Sequence, residues 1–457
     1  MVATQPEDKP KKKIRLFPLH MTSFEHYMFV DDRQLHPMTF VVQFEFAGKI
    51  DREAFDVAIE AALERHPLLA ATIGPGKGGK DCWIKASNPR PAISWGGLNE
   101  PIEFPQGEFI DLRKEIGLRV FVRHDDEKAV VTTQFHHAVC DGIGSYQYLG
   151  DLFYEYAIRT GDSDLPEPIE LPLKRLKERG RISYNMNNFR TDDGKLQSTW
   201  DEALRFLRMT NVSLKPEVKK ASGYRAPFPN IQSFEFDKDE YKSLRHAAQA
   251  NGQLINDLLV EKLFITLSQW ESKSSWFNQR RHVCVMMPMN LREPTDNNVS
   301  GCNAVSQSFV RYRRSEFGNV ETFRKKLGNE LLNFKHDRTR IRFMHMIAGG
   351  HYFYPKTLKL SLNFKKCLAT AILSNTGDPT KQFHAAFPKE KGLLRCGNLT
   401  MTDVSGVPPM RPGTNATISI FTYRRVLKIC LRCDPNQFAP EDTRQLLELY
   451  VKNIRNT

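Results

Sequence analysis

Long apolar runs are missing from this 457-residue sequence, and none approaches the about 18 residues that a membrane-spanning helix needs. The first 13 residues are polar and rich in lysine, so they also lack the apolar core of a secretory signal. Both absences predict a cytoplasmic protein without a transmembrane segment. They leave peripheral contact with a membrane surface open.

Cysteine is sparse and irregularly spaced, with eight residues in the whole chain. This pattern excludes the disulfide framework of a small secreted domain and favours reduced thiols. Cys430 and Cys433 form a C-x-x-C pair within a strand-like run, where a separation of three residues points the two side chains to opposite faces. Because no second pair lies nearby, we predict no zinc site and no other bound metal.

Acidic residues are outnumbered, with 53 Asp and Glu against 66 Lys and Arg, for a net charge of +13. The excess favours acidic partners, among them phosphate-bearing cofactors, acidic proteins, anionic lipid and nucleic acid. Part of it lies in residues 9–15 and 174–181, which we interpret as a solvated tail and linker because polar or proline-rich sequence flanks them. Nucleic-acid binding would rest on this charge alone, so we do not predict it.

Hydrophobic residues are plentiful, at 40% of the chain with 30 phenylalanines, which is enough for more than one hydrophobic core. Each half offers strand-like runs followed by helical patterns, which is typical of α/β sandwiches. We therefore predict two lobes, at residues 15–160 and 230–457. A disordered basic tail at residues 1–14 precedes them, and a polar crossover linker without clear elements at residues 161–229 joins them.

Local patterns predict the elements of each half. In the first half, the predicted strands are residues 39–46, 118–123 and 129–135, with a helix capped by Asp51 that ends before Pro67 and another capped by Ser145. In the second half, the predicted strands are residues 231–236, 283–289, 368–373, 415–423 and 426–433, with helices at 238–250, after Asn256 or Asp257, and at 441–453.

A run of chemically active residues follows the hairpin formed by residues 118–123 and 129–135. It reads His136-His137-Ala138-Val139-Cys140-Asp141-Gly142. Imidazole is the side chain whose pKa lies nearest neutrality, so His137 can take a proton from a hydroxyl or amine. Asp141 can orient the imidazole or hold its loop in shape, and Gly142 permits a tight backbone path. A histidine pair alone is more typical of structural residues, whereas the whole pattern at a strand-to-helix junction indicates a site.

This run resembles the signature H-H-x-x-x-D-G of the condensation-domain/chloramphenicol-acetyltransferase superfamily. Three further segments are similar to those of the family and follow in its order, namely residues 288–292, 301–303 and 373–377. The resemblance covers about residues 15 to 455 and indicates a stand-alone condensation or wax ester synthase/diacylglycerol acyltransferase-like member. The D-F-G-W-G run of plant-type acyltransferases is missing from the sequence.

The resemblance implies two chloramphenicol-acetyltransferase-like lobes in a V-shaped pseudo-dimer, with a tunnel at their interface. His137, preceded by His136, would lie in mid-tunnel as the base or would position the nucleophile, and Asp141 would form a structural ion pair with Arg292. Asn375 would line the tunnel or donate to the developing oxyanion. Plainer interpretations stay open, in which Arg292 is a surface residue, Asp141 only starts a helix and Asn375 only forms a turn before Gly377.

The implied activity is transfer of an acyl group from a thioester to a small-molecule alcohol or amine. The donor would be acyl-coenzyme A or an acidic acyl carrier protein with a phosphopantetheine arm, both of which suit the positive charge of the chain. The resemblance implies a monomer with no permanently bound cofactor. An alternative is a catalytically silent module that binds a carrier protein or scaffolds a biosynthetic pathway.

Overall fold

The computed structural model describes residues 15–104, 107–183, 210–217, 227–270, 281–333, 342–353, 362 and 366–457. The tail predicted at residues 1–14 lies outside these ranges, as does part of the predicted crossover linker. Within them, every helix falls short of the length and apolar character required to span a bilayer.

The first half contains seven strands and four helices among the described residues. They are β1 (Leu19–His20), α1 (Ser23–Val30), β2 (Thr39–Ala47), α2 (Arg52–Arg65), β3 (Ala71–Pro75), β4 (Asp81–Lys85), β5 (Ala92–Gly97), β6 (Leu118–His124), β7 (Lys128–His136), α3 (Gly142–Arg159) and α4 (Leu173–Ser183). The three predicted strands of this half are confirmed, with bounds that differ by at most one residue at either end.

The second half contains nine strands and five helices among the described residues. They are β8 (Gln232–Phe236), α5 (Lys238–Ala250), α6 (Ile255–Trp270), β9 (His282–Asn290), β10 (Val305–Arg313), α7 (Val320–Asn333), α8 (Arg342–Phe353), β11 (Ala371–Gly377), β12 (Lys389–Glu390), β13 (Leu393–Cys396), β14 (Leu399–Val407), β15 (Ala416–Phe421), β16 (Leu427–Cys433) and α9 (Pro440–Arg455). The strand predicted at 368–373 is displaced, because β11 begins at Ala371 and continues to Gly377.

The larger of the two main sheets has seven strands in the order β12-β13-β14-β2-β7-β6-β5. Strand β14 pairs antiparallel with β2 along its length, so residues from the second half of the chain complete the sheet of the first half. After β11 the chain therefore crosses back to the sheet of the first half and adds β12, β13 and β14 to it. A sequence pattern marks strands but not the sheet that they join.

The other main sheet has six strands in the order β10-β9-β11-β15-β16-β8, and β1, β4 and β3 form a small third sheet. Among the described residues, two hydrophobic clusters form the core, and the first includes buried residues from both halves of the chain. Cys430 belongs to the first cluster and Cys433 to the second, so their predicted placement on opposite faces of β16 is confirmed.

Helix starts follow the capping pattern in one predicted case and depart from it in two. Asp51 caps α2 by accepting from the Ala54 N–H, as predicted. Helix α3 is capped by Asp141, so the prediction of Ser145 is wrong, and Ser145 Oγ instead donates to Gly142 O at 2.8 Å. The helix predicted to follow Asn256 or Asp257 begins at Ile255.

The basic run at residues 174–181 is not simply a solvated linker. It belongs to helix α4, which the polar sequence did not indicate. The Arg179 side chain is buried and donates to both carboxylate oxygens of Glu25, at 2.7 and 2.8 Å. Glu25 also accepts from the Trp83 indole N–H at 2.9 Å. This network attaches the crossover segment to α1 and β4.

Candidate active site

His137 is the first residue after β7, at the point where the chain leaves the seven-stranded sheet. Its backbone N–H donates to Met38 O at 2.7 Å, which extends the pairing of β2 and β7 by one residue. The imidazole ring lies edge-on to Phe40 and Phe24, with centroid distances of 5.2 and 5.8 Å. Its Nδ1 is buried, and the residue lines a cavity in front of the ring.

Burial lowers the pKa of His137 below its ordinary value, because an apolar surrounding disfavours the imidazolium. The Asp141 charge and hydrogen bonding with the Asn303 side chain act in the opposite direction without cancelling this effect. The ring is therefore neutral near pH 7, which is the form that a base requires.

Asn303 fixes the turn that carries His137. Its Nδ2 donates to the backbone oxygens of His137 and Ala138, at 2.8 and 2.9 Å. Asn303 was absent from the predicted site, although it lies in the segment 301–303 that resembles the family. One feature of the sequence could have indicated it, because Asn303 is the only amide residue in the segment 301–303, which otherwise consists of small residues.

Asp141 and Arg292, predicted as partners, contact each other across 151 positions of sequence. Arg292 donates to the two carboxylate oxygens at 2.7 and 3.0 Å, and both side chains are 5% exposed. Asp141 also accepts from the backbone N–H of Ala304 and of Gly144. Burial alone would raise the pKa of Asp141, but Arg292 and these hydrogen bonds lower it below the ordinary value.

The glycine that the backbone path requires is Gly144 rather than Gly142. A Cβ on Gly144 would lie 2.9 Å from the backbone nitrogen and oxygen of Cys302, which leaves no space for a side chain. At Gly142 the nearest atom to such a Cβ would be 3.9 Å away, in the ring of Tyr146. Gly142 instead lies on the wall of the cavity in front of His137.

His136 is fully buried and lies away from that cavity. Its Nδ1 accepts from the Ala138 N–H at 3.0 Å, so the ring proton is on Nε2, which lies 3.1 Å from Asp32. Asp32 in turn accepts from the Met38 N–H at 2.8 Å. His136 therefore has the contacts of a positioning residue, and Asp32 is its partner, which the sequence analysis missed.

The cavity in front of His137 measures about 100 Å³ and is lined from both main sheets. Apolar side chains form most of its wall, and they include Phe24, Met28, Phe40, Met286, Ile372 and Phe421. The hydroxyl-bearing residues Ser374 and Ser419 also line it, and they are direct neighbours on the paired strands β11 and β15. Neither serine hydroxyl hydrogen bonds to any residue that the structure describes.

Asn375 lies on the opposite face of β11 from this cavity, because side chains alternate along a strand. Its Nδ2 donates to Asn256 Oδ1 at 3.1 Å, and its Oδ1 accepts from the Gly377 N–H at 3.2 Å. The prediction that Asn375 lines the tunnel is therefore wrong. Its contacts are those of the turn residue that the sequence left open as an alternative.

A second buried cluster, formed by His66, Asp151 and His384, has the side-chain types of a metal site. Its hydrogen bonds indicate a structural role. His66 Nδ1 accepts from the Gly301 N–H at 2.8 Å, so His66 Nε2 carries the proton that it donates to Asp151 at 2.9 Å. Arg65 also donates to Asp151, at 2.7 Å, so this carboxylate is already paired with a positive charge.

No family model matches this sequence, and no curated protein matches it. Solved structures do resemble the fold. The first condensation domain of the calcium-dependent antibiotic synthetase, in complex with a substrate analogue, is 14% identical with a TM-score of 0.65, and the match covers 97% of this chain and 96% of that chain.

Two further structures extend the comparison. The trichothecene 15-O-acetyltransferase TRI3 from Fusarium sporotrichioides is 12% identical with a TM-score of 0.65, over 95% of this chain and 93% of that chain. The starter condensation domain of rhizomide synthetase RzmA, in complex with C8-CoA, is 10% identical with a TM-score of 0.63, over 96% and 94%. At these identities the comparisons show that the chain has the condensation-domain fold, as predicted.

Proposed function

We propose that this protein is an acyltransferase that moves an acyl group from a thioester to a hydroxyl or amine, with His137 as the general base. One observation carries the proposal, namely the neutral imidazole of His137 on the wall of a largely apolar cavity lined by both sheets. In such a setting the base is not protonated at neutral pH and can accept a proton from the acceptor group.

The reaction uses only groups that line this cavity. His137 Nε2 accepts the proton of the acceptor O–H or N–H as the acceptor atom forms a bond to the thioester carbonyl carbon. The carbonyl π electrons move to oxygen and give a tetrahedral oxyanion. When the oxyanion collapses, the C–S bond breaks and the imidazolium returns the proton to the departing sulfur. The products are an ester or amide and a free thiol.

Ser374 and Ser419 supply the donors for the oxyanion in this proposal, in place of Asn375. Their hydroxyl groups are neighbours across two paired strands, are held by the rigid sheet and have no other partner among the described residues. Thr376 lines the same cavity, but its hydroxyl donates to Ile420 O at 2.9 Å. Pre-positioned donors of this kind stabilise the charge that develops on oxygen without reorganising.

Asp141 and Arg292 have a supporting role in the proposal. Their ion pair joins the start of α3 to the segment that follows β9, and therefore holds the two walls of the cavity together. Domains of this fold have been crystallised with C8-CoA, and an acetyltransferase shares the fold, which supports an acyl-coenzyme A donor. A carrier-bound thioester has the same reactive group and remains the alternative donor.

The test is thiol release from a panel of acyl-coenzyme A thioesters by the wild-type protein and by His137→Ala. We expect the variant to lose at least 100-fold in rate, since general bases typically contribute about 10²–10⁴-fold. His246→Ala, which removes an exposed imidazole on α5, is the matched control and should keep the wild-type rate. Equal release by wild type and His137→Ala would remove His137 from the mechanism.

The alternative function is a catalytically silent module that binds carrier proteins. The thiol-release assay, together with a binding measurement on an acidic acyl carrier protein, separates it from the enzyme. A silent module releases no thiol from any donor but still binds the carrier protein. That pair of results would replace the proposed activity.

A further inference from the structure

The cavity of His137 contains a polar group that the proposed reaction does not use, the side-chain amide of Gln307 on β10. Gln307 and Val305 line the cavity from the same face of this strand. The amide makes no hydrogen bond with any residue that the structure describes. Gln307 is partly exposed, and neither its amide oxygen nor its amide nitrogen is fully buried, so a molecule in the cavity can reach both.

The other hydrogen-bonding groups of the cavity wall already have partners or roles. Asp141 is paired with Arg292, and the Thr376 hydroxyl donates to a backbone oxygen. Ser374 and Ser419 are the proposed donors to the oxyanion. The Gln307 amide therefore remains as an accessible polar group on a largely apolar wall. Isolated polar groups of this kind fix the orientation of a ligand in its site.

The strand register places Gln307 across the cavity from Ser374. Gln307 pairs with Pro288 on β9, and Pro288 also lines the cavity. The last pair between β9 and β11 is Met286 with Ile372, and Pro288 and Ser374 each lie two residues further along these parallel strands. Since neighbouring strands are about 4.8 Å apart, the Cα atoms of Gln307 and Ser374 are separated by about 10 Å or more.

Both proposed donors carry an amide that suits this arrangement. The thioester sulfur ends a pantetheine arm, in which two methylene groups separate the sulfur from the first secondary amide. With the thioester carbonyl at Ser374, the two methylene groups would pass over the apolar ring of Pro288, and the amide would reach the side chain of Gln307. A secondary amide has one N–H donor and one oxygen acceptor, and a glutamine side chain offers the complement of each.

We propose that Gln307 binds the first amide of the pantetheine arm and thereby selects pantetheine thioesters over thioesters of the same length without this amide. The thioester as substrate rests on the proposed function, whereas the amide site rests on the contacts and accessibility of Gln307. Both proposed donors hold this amide at a fixed distance from the reacting carbonyl, but no such group is required of the acceptor. Because the amide does not change during the reaction, Gln307 acts on KM rather than on kcat.

The experiment compares two thioesters that carry the same acyl group. The N-acetylcysteamine thioester keeps the first amide, and the S-pentyl thioester has the same length without it. For the wild-type protein, we expect kcat/KM to be at least tenfold higher with the N-acetylcysteamine thioester, because two hydrogen bonds distinguish the substrates. A wild-type ratio near one would overturn the proposal.

Gln307→Met keeps the length of the side chain and removes its amide, so the ratio should fall to about one through a rise in the KM of the N-acetylcysteamine thioester. Gln249→Met, at an exposed position of α5, is the matched control and should keep the wild-type ratio. The ratio compares two substrates on one protein, so a loss of folded protein does not change it. A wild-type ratio in Gln307→Met would overturn the proposal. An equal loss with both thioesters and a higher KM for the acceptor would also overturn it, since Gln307 would then bind the acceptor.

A binding measurement separates failure of this inference from failure of the proposed function. The thioether S-octyl-N-acetylcysteamine has the amide but cannot transfer an acyl group, and equilibrium dialysis should show at least tenfold weaker binding to Gln307→Met than to Gln249→Met. If this difference is found but no thioester loses its thiol, the amide site stands and the acyltransferase proposal falls. If His137-dependent thiol release occurs and the two variants bind the thioether equally, the activity stands and this inference falls.

Discussion

The residues that contact His137 set its pKa and its position. Phe24 and Phe40 lie against the imidazole, and Asn303 fixes the backbone that carries it. Burial among apolar rings favours the neutral base, while hydrogen bonding with the Asn303 side chain favours the protonated form to a smaller extent. The imidazole is therefore neutral, and available as a base, at pH values above its lowered pKa.

The pH dependence of kcat/KM follows from that shift. Since the folded pKa of His137 is below 6.5, kcat/KM should rise with pH and have its midpoint below pH 6.5. Asn303→Ala removes an interaction that raises this pKa, so the midpoint should move further toward acid, a change that loss of packing alone does not produce. The measurement is kcat/KM from pH 4.5 to 8 for both proteins. A wild-type midpoint above 6.5 would contradict the assignment.

The serine pair provides a second prediction at the residue scale. Loss of one oxyanion donor typically costs about 10²–10³-fold in kcat, so Ser374→Ala and Ser419→Ala should each lower kcat by that order with little change in KM. Asn375→Ala is the matched control, because Asn375 adjoins Ser374 but lies on the other face of β11. Steady-state kinetics of the three variants test the assignment. An unchanged kcat in both serine variants would contradict it.

At the scale of elements, Asp141 joins parts of the chain that are far apart in sequence. It caps α3 with one carboxylate oxygen and binds Arg292 with both, and Arg292 also donates to Cys302 O at 2.8 Å. Removal of either partner leaves a buried charge without compensation. The start of α3 and the end of β9 therefore depend on each other.

Arg292→Ala should lower the free energy of unfolding by about 3–5 kcal/mol, because the Asp141 carboxylate would remain buried and unpaired. Asp141→Ala should have a comparable effect for the same reason. Arg90→Ala breaks an ion pair with Glu60 in which both side chains are more than half exposed, so it should cost at most about 1 kcal/mol. Urea unfolding of the three variants measures these differences. Wild-type midpoints for Arg292→Ala and Asp141→Ala would show that the contact does not stabilise the fold.

Element predictions succeeded where local sequence decides the outcome. Asp51 precedes an amphipathic pattern and caps α2, and the hairpin of β6 and β7 follows from alternation and a polar turn. They failed where two residues compete for one role. Both Asp141 and Ser145 are good N-caps, and the choice of Asp141 depends on Arg292 and Ala304, which local sequence does not reveal.

At the scale of the whole molecule, the two halves are interleaved more than the sequence indicated. Strands β12, β13 and β14 join the sheet of the first half, and buried contacts such as Arg179 with Glu25 attach the crossover segment. The family resemblance supplied the pairing of Asp141 with Arg292, but the positions of Asp32 and Asn303 required the fold itself. Contacts between residues more than 100 positions apart leave no trace in local periodicity.

The cluster of His66, Asp151 and His384 is one of the contacts that hold the halves together. His66 lies at the end of α2 and accepts from the Gly301 N–H, and Asp151 on α3 accepts from both histidines and from Arg65. Burial lowers the pKa of His66, with Arg65 and His384 acting in the same direction, and the interaction with Asp151 only partly offsets that shift. A doubly protonated His66 has no acceptor left for Gly301, so acid should loosen this connection.

Stability should therefore depend on pH through His66. Its folded pKa is lower than its unfolded value of about 6.5, so the unfolded chain binds the extra proton first and the free energy of unfolding falls as pH drops below about 6.5. His66→Gln keeps a donor and an acceptor but does not titrate, so it should reduce this fall by up to about 1.4 kcal/mol per pH unit. Urea unfolding at pH 7, 6 and 5 measures the slope, with the exposed His246→Ala as the control that retains it. The other buried histidines, His137 among them, keep the remaining slope above zero. A slope in His66→Gln equal to that of the wild type would mean that the connection through Gly301 survives protonation, and that the halves are held by other contacts.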